Sequence, residues 1–349
     1  MNPDLVEATR GGLRESVHRG AVAVVDADGR VVLGMGDVER LVFPRSAIKL
    51  LQALPLVASG AAERLGLGDA ELAVACASHG GEPIHVETVR GMLGRAGLDA
   101  AALECGAHWP SHDASARALA SEGGAPSALH NNCSGKHAGF LCVACALAAG
   151  GDTRRFASGY IRPEHPVMRA VTAAVGVATD TDLDKLPRGT DGCSIPAHAF
   201  PLRSLGLAFA RAGTGRGLSA PLAAAAARLR AAIAAEPMLI AGSHRFDTQI
   251  ARRFGLRAMA KVGAEGVFCA TVPERGLGIA LKMDDGNNAR AAEVVMAALL
   301  EPLLDPEPED LVYLRGVSDA RLVNWNGIEV GRLRATEELR ESARSLAEA

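Results

Sequence analysis

Ser46 and Lys49 are the residues whose types and spacing most directly suggest chemistry. They stand three apart in Pro44-Arg45-Ser46-Ala47-Ile48-Lys49, where an apolar helical run begins. On a helix that spacing places both side chains on one face, one turn apart. A serine hydroxyl is a poor nucleophile at neutral pH and needs a base beside it. A lysine in a partly desolvated pocket loses proton affinity and can be that base. Pro44 suits a strand giving way to a helix. Taken alone, the same residues would serve equally as a serine cap followed by a solvated lysine. Far downstream, Lys261-Val262-Gly263 opens a strand-like run, a second lysine followed by a small-residue step.

Three further polar knots accompany this pair. Ala77-Ser78-His79-Gly80-Gly81-Glu82 follows a helical stretch. Ser78 could pair with a lysine, and His79 and Glu82 could exchange protons; the alternative is a helix end with Gly80 just past it. His130-Asn131-Asn132-Cys133-Ser134-Gly135-Lys136-His137 opens an apolar helix. Its gathered donors could hold an anion, or could be an elaborate cap. The Ser-Gly-Lys step lacks the full phosphate-loop pattern. Thr190-Asp191-Gly192-Cys193-Ser194-Ile195-Pro196 is a turn by composition. Cys133 and Cys193 both lie in polar loops, and tetrahedral zinc could take both thiolates if the loops meet. Cys142 and Cys145 form C-x-x-C inside an apolar helix with no partner pair, which reads as core packing.

The chain has 349 residues, 48% hydrophobic and 22% charged, ample for a large core and ordinary for a globular enzyme. A net charge of −3 gives no reason to expect a nucleic acid or an anionic membrane as partner. Aromatic content of 3% leaves the core to Ala, Leu and Val, and makes base-stacking platforms unlooked for. Met1-Asn2-Pro3-Asp4-Leu5 lacks the basic start and apolar stretch of a secretory signal. Apolar runs such as 140–149 are too short to span a bilayer. Seven scattered cysteines fit reduced thiols in the cytoplasm better than a disulfide framework.

The elements that must position these residues follow from turns and periodicity. Residues 21–25 and 31–34 flank Asp28-Gly29 as a hairpin. A helix is expected over 46–59, closed by Gly60. Others are expected over 69–77, 85–96, 135–149, 163–175 and the Ala-rich 219–235, which reads as core filler. Strands return at 267–272 and 278–283 around Pro273-Glu274-Arg275-Gly276. A helix over 289–300 follows, then a hairpin over 323–333 around Asn326-Gly327. The charged 336–349 stretch is expected as a loose or peripheral helix. The fold class is therefore α+β: an antiparallel sheet from both chain termini with a large helical region inserted. One unit is expected, with an α/β part at about 15–60 and 255–335 and a mainly helical part at about 61–254.

In serine β-lactamases and penicillin-binding proteins S-x-x-K starts acyl transfer, and a K-T-G strand lines the far side of the serine; here that strand reads K-V-G. Those enzymes also want an S-D-N or Y-x-N element. The nearest match, Ser318-Asp319-Ala320, falls too late in the chain. Taken together, P-R-S-A-I-K, A-S-H-G-G-E, H-N-N-C-S-G-K-H, G-T-D-G-C-S-I-P and A-K-V-G-A-E-G-V resemble, in order, an L-asparaginase of the Rhizobium etli type. That is the zinc-containing class with a serine β-lactamase/glutaminase-like fold, and the resemblance runs from about residue 15 to 335. It implies hydrolysis of L-asparagine to aspartate and ammonia, two Ser-Lys pairs (Ser46 with Lys49, Ser78 with Lys261), and a homodimer. It also implies zinc (Zn2+) on Cys133, Lys136 and Cys193, and a substrate pocket lined by Arg45, His137 and Asp191. The other readings are a β-lactamase, peptidase or glutaminase serine hydrolase, and a non-enzymatic zinc- or amino-acid-binding protein. The last would need no paired Ser and Lys.

Overall fold

A computed structural model describes residues 1–348. It divides the chain into two compact units: Met1–Ala47, Phe200–Thr214 and everything from Ala260 on make the first, and Ile48–Ala199 with Gly215–Met259 make the second. The architecture is α+β, with an antiparallel sheet drawn from both ends of the chain.

Among the described residues of the first unit, eight strands share that sheet: β1 (Asp4–Arg10), β2 (Leu13–Asp26), β3 (Val31–Met35), β4 (Met259–Val262), β5 (Val267–Val272), β6 (Leu277–Met283), β7 (Asp319–Val323) and β8 (Glu329–Ala335). The order is β7-β8-β1-β2-β6-β5-β4, with β3 also paired to β2. In register, Val6 faces Ala335, Ala23 faces Ala280 and Ala280 faces Cys269. β2 is long enough to serve β1 with its first half and β6 with its second. Ala21 to Val25 are buried without alternation, which is the pattern of a strand covered on both faces.

The Leu202–Thr214 helix packs on β2, β5 and β6. A Cβ on Gly278 would lie 2.0 Å from the Gly206 carbonyl oxygen and 2.2 Å from the Ala210 nitrogen. Helix backbone therefore rests directly on strand backbone, and only glycine fits between. Neither this helix nor β1 is announced by the turn signals. The 336–349 stretch, expected as a loose or peripheral helix, is helical but not loose. It forms the Glu337–Glu348 helix, and Leu339, Ala343 and Leu346 on one face are buried against the Glu293–Leu304 helix. Its charges occupy the other face, so it is amphipathic and packed, not loose.

The second unit is built around the Ser134–Leu147 helix, whose residues Ser134 to Ala144 are all buried. A helix apolar on every side must be surrounded. The helices Lys49–Ala58, Asp69–Ala75, Pro83–Arg95 and Pro166–Thr179 enclose it. The Ala-rich Ala220–Ala235 helix packs outside them, on Lys49–Ala58 and Asp69–Ala75. Cys142 lies within the central helix, and burial pushes its thiol up to about 12, so it behaves as a core hydrophobe. No helix among the described residues is long and apolar enough to cross a membrane.

Candidate active site

The first unit carries Arg45, Ser46 and Lys261. The expected helix over 46–59 begins as a tight 3-10 turn, Arg45–Ile48, before the α-helix Lys49–Ala58 takes over. Ser46 is partly exposed. Arg45 is held at φ 51°, the left-handed region that favours glycine. A non-glycine residue there costs about 1–2 kcal/mol, and such strain gathers at functional sites. Lys261 lies fully buried on the edge strand β4, and its amine donates to the Val262 carbonyl at 3.0 Å. A Cβ on Gly263 would sit 2.7 Å from the Pro44 carbonyl oxygen. The glycine of K-V-G is thus what lets the end of β4 press against the residue before Arg45 and Ser46.

The second unit carries the other seven predicted residues, and Lys49 lies where their loops converge. Its amine is fully buried and donates to the Ala77 carbonyl at 2.6 Å and the Asn132 carbonyl at 3.1 Å. The residues immediately after those two carbonyls are Ser78 and Cys133. Burial lowers the proton affinity of Lys49; the Cys133 thiolate partly offsets this, and Lys136 adds to it. Ser78 is buried, its hydroxyl oxygen makes no hydrogen bond among the described residues, and its backbone N–H donates to the Ile240 carbonyl.

Cys133, Lys136 and Cys193 are brought together. The Lys136 amine lies 3.0 Å from the Cys193 sulfur, and the two thiols hydrogen-bond to each other. The bond from Cys193, with Lys136 and Lys49 nearby, holds Cys133 well below the usual thiol range, while the Cys193 thiol is pushed up. Burial disfavours a charge on Lys136, but the two thiols outweigh it and raise its proton affinity. Asp191 is half-buried and bends the loop that presents Cys193: its backbone pairs with Ile195 and Ser194, and its carboxylate accepts the Gly192 N–H. Among the described residues no three His, Cys, Asp or Glu side chains gather as a metal site. The donors that do gather are two sulfurs and an amine nitrogen, all buried. Two thiols and an amine are a donor set that suits zinc, provided all three give up their protons to the metal's charge.

Two candidates prove to be structural. His79 accepts the Gly81 N–H on Nδ1 and donates from Nε2 to Ser134, and burial keeps it neutral. Both Glu82 oxygens are occupied by Ser243. Neither is available as a free acid or base. His137 is fully buried; Nδ1 lies 2.6 Å from the Tyr160 hydroxyl, and Nε2 has no partner among the described residues. Sequence reasoning missed Tyr160. The available signal was that the chain has only two tyrosines, and a buried tyrosine needs a partner for its hydroxyl.

A buried amine of lowered proton affinity beside serine-bearing loops is the equipment of a hydrolase that cleaves amides or esters. Residues 6–335 match the profile of the L-asparaginase II family, and the chain belongs to that family. Among solved structures it is similar to a β-lactamase from Mycobacterium bovis, at 17% identity over 82% of this chain and 95% of that one, with a TM-score of 0.39. It is also similar to Mglu in its tris and glutamate form, at 14% identity over 84% of this chain and 61% of that one, with a TM-score of 0.33. Both likenesses are distant. No curated protein matches the chain.

Proposed function

We propose that the chain hydrolyses L-asparagine through a serine acyl-enzyme, with Ser46 as nucleophile and Lys49 as its base. Membership of the L-asparaginase II family implies the substrate. The observation that carries the mechanism is the state of Lys49: buried, depressed in proton affinity, and holding two carbonyls with its N–H groups. Ser46 Oγ bonds to the side-chain amide carbon as its proton passes to the Lys49 amine. The C–N bond then breaks, and ammonia leaves with that proton. Water attacks the β-aspartyl ester, and Ser46 regains its proton as aspartate departs. Backbone N–H groups at the helix start stabilise the tetrahedral oxyanion, each worth roughly 3–4 kcal/mol in enzymes of this kind.

By the resemblance of the motifs, Ser78 and Lys261 would be the second Ser-Lys set, Arg45 would take the substrate carboxylate, Asp191 its ammonium, and His137 would contact the substrate. Cys133, Lys136 and Cys193 would hold zinc, which when bound supplies a fixed positive charge for orienting the substrate. This is the Rhizobium etli type of asparaginase that the five motifs resemble.

The test is turnover by purified protein of asparagine, glutamine and nitrocefin, with zinc measured in the same preparation. Ammonia from asparagine and no nitrocefin cleavage is the expected result. Ser46→Ala should lose about 10⁴ in rate while remaining folded, the usual cost of removing a nucleophile that acts as a unit with its base. If that variant kept a tenth of the activity, Ser78 would take the role.

A further inference from the structure

The Lys49 amine is aimed by two backbone carbonyls, those of Ala77 and Asn132. A carbonyl can aim an amine only if its own peptide plane is held. What holds the Asn132 carbonyl is therefore part of the chemistry, and it comes from a segment outside all five motifs, Cys105 to His108.

Two planar peptide units flank Asn132, and this segment holds both. The carbonyl of Asn132 and the N–H of Cys133 belong to one unit and point in opposite directions. That N–H donates to Asn131 Oδ1 at 2.8 Å, which turns the carbonyl the other way, onto Lys49. Asn131 is buried, and its amide nitrogen donates to the Cys105 carbonyl at 2.9 Å and the Gly106 carbonyl at 3.1 Å. The unit before it carries the Asn132 N–H, which donates to His108 Nε2 at 2.9 Å. The Asn132 side-chain oxygen stands further from that nitrogen, at 3.4 Å. His108 is itself fixed: Nδ1 lies 2.7 Å from the Trp109 carbonyl, which can only accept, so Nδ1 donates there and Nε2 is the acceptor. A few residues on, the His112 N–H donates to the Gly80 carbonyl at 3.0 Å. A Cβ on Gly81 would meet Pro110 at 3.0 Å. The chain from Cys105 to His112 thus braces both loops whose carbonyls hold Lys49.

We propose that His108 is a positioning residue for Lys49: by accepting the Asn132 N–H it completes the clamp that keeps the Asn132 carbonyl on the lysine amine. The positioning stands on the hydrogen bonds alone. Its consequence for rate rests on the asparaginase reading, in which that amine takes the proton of Ser46. The clamp touches the base and not the substrate, so losing it should slow turnover without weakening binding.

Three measurements test this, and the first needs no variant. An N–H···N hydrogen bond transmits a scalar coupling between its two nitrogens. In protein labelled with nitrogen-15, the Asn132 amide should couple to His108 Nε2, and a wild type without that coupling overturns the proposal. The second follows the Lys49 amine signal, identified by its loss in Lys49→Arg. It should shift in His108→Ala and return in His108→Gln, whose side-chain oxygen can stand where Nε2 stood and accept the same N–H. An unchanged signal overturns the proposal, and so does a shift that glutamine fails to undo, since His108 would then only fill space. The third is kinetic. His108→Ala should lower kcat for asparagine about tenfold with KM within about twofold, because a small misplacement of a reacting group is costly and the loss falls in the transition state. His108→Gln should recover most of it. An unchanged kcat in His108→Ala overturns the proposal. A fall in bound zinc that matches the fall in rate does so too, because the effect would then run through Cys133. No asparagine turnover by the wild type, with the NMR results as expected, would overturn the substrate and leave the positioning of Lys49 standing.

Discussion

Gly135→Ala sets two effects of known size against each other at the start of the central helix. Alanine is the better helix former by about 1 kcal/mol, so propensity alone predicts stabilisation. Packing predicts the reverse. A Cβ on Gly135 would lie 2.1 Å from the Val74 carbonyl oxygen, 2.7 Å from its carbon and 2.9 Å from Val74 Cγ2. Real contacts of this kind essentially never fall under 3.0 Å, so the two helices must part by about 0.9 Å. The Val74 carbonyl cannot simply turn aside, because it accepts the Ala77 N–H at 3.1 Å, one residue before Ser78. Overpacking of this kind typically costs about 1–3 kcal/mol and sometimes more. The clash should therefore win, leaving a net loss of up to about 2 kcal/mol.

The same displacement reaches the chemistry. Cys133, Lys136 and His137 all ride on the segment that must move, and the Lys136 amine to Cys193 contact is only 3.0 Å long. A misplacement near 1 Å can cost about a hundredfold in rate. The assay is thermal unfolding and asparagine turnover of Gly135→Ala beside Gly91→Ala and Gly94→Ala. Those two glycines lie in the Pro83–Arg95 helix with nothing within 4 Å of an added Cβ. The controls should be stabilised by about 0.4–1 kcal/mol each with activity intact. If Gly135→Ala is stabilised like the controls and keeps most of its activity, the close approach does not hold the site.

Three further outcomes follow from the same geometry. Lys49→Arg should be nearly as inactive as Lys49→Ala, because a guanidinium does not deprotonate in the working range; an active, folded arginine variant would remove Lys49 from the role of base. Cys133→Ser and Cys193→Ser should each lower bound zinc, since a three-ligand site rarely survives losing a thiolate; one zinc per chain in the double variant would exclude these ligands. Glu82→Gln should cost about 1–2 kcal/mol near neutral pH. Burial would raise the Glu82 carboxyl, but two hydrogen bonds from Ser243 outweigh it and hold the group below its ordinary value. A depressed carboxyl contributes stability above its unfolded pKa of about 4.3 and loses it as pH falls through the folded value. The gap between wild type and Glu82→Gln should therefore narrow under acid, and a gap that stays constant or widens contradicts the assignment.

Strands whose turns are local could be read directly. Asp28-Gly29, Pro273-Glu274-Arg275-Gly276 and Asn326-Gly327 each join neighbours in the sheet. β1 could not be read this way, because half of what makes Asp4–Arg10 a strand is its pairing with Glu329–Ala335 more than three hundred residues later. The Leu202–Thr214 helix was hidden for a different reason. Gly206 and Gly213 look like breakers along the chain, yet a Cβ on Gly206 would meet Val25 at 2.8 Å and one on Gly213 would meet Thr271 at 2.0 Å. Their cost in propensity is the condition for resting a helix on the sheet. The Glu337–Glu348 helix could be read as a helix, but its charges hid the buried face that Leu339, Ala343 and Leu346 form.

The site divides along the same line, between what a contiguous stretch can state and what only a contact can. Ser46, Lys49, Cys133, Lys136 and Cys193 sit in short polar segments at the starts of helices or in turns, where composition departs from an apolar background. The groups that fix their states are elsewhere. The Lys49 amine is oriented by the carbonyls of Ala77 and Asn132, and a backbone carbonyl leaves no trace in sequence. His79 and Glu82 looked as reactive as any residue in the chain. What removes them is Ser134 and Ser243, ordinary serines at long range. Tyr160 is the converse: it stands in a stretch with no motif, yet its hydroxyl binds both His137 and the backbone N–H of Glu104. A catalytic group is recognisable by its type. Its protonation state belongs to its neighbours, and those are known only once the chain has folded.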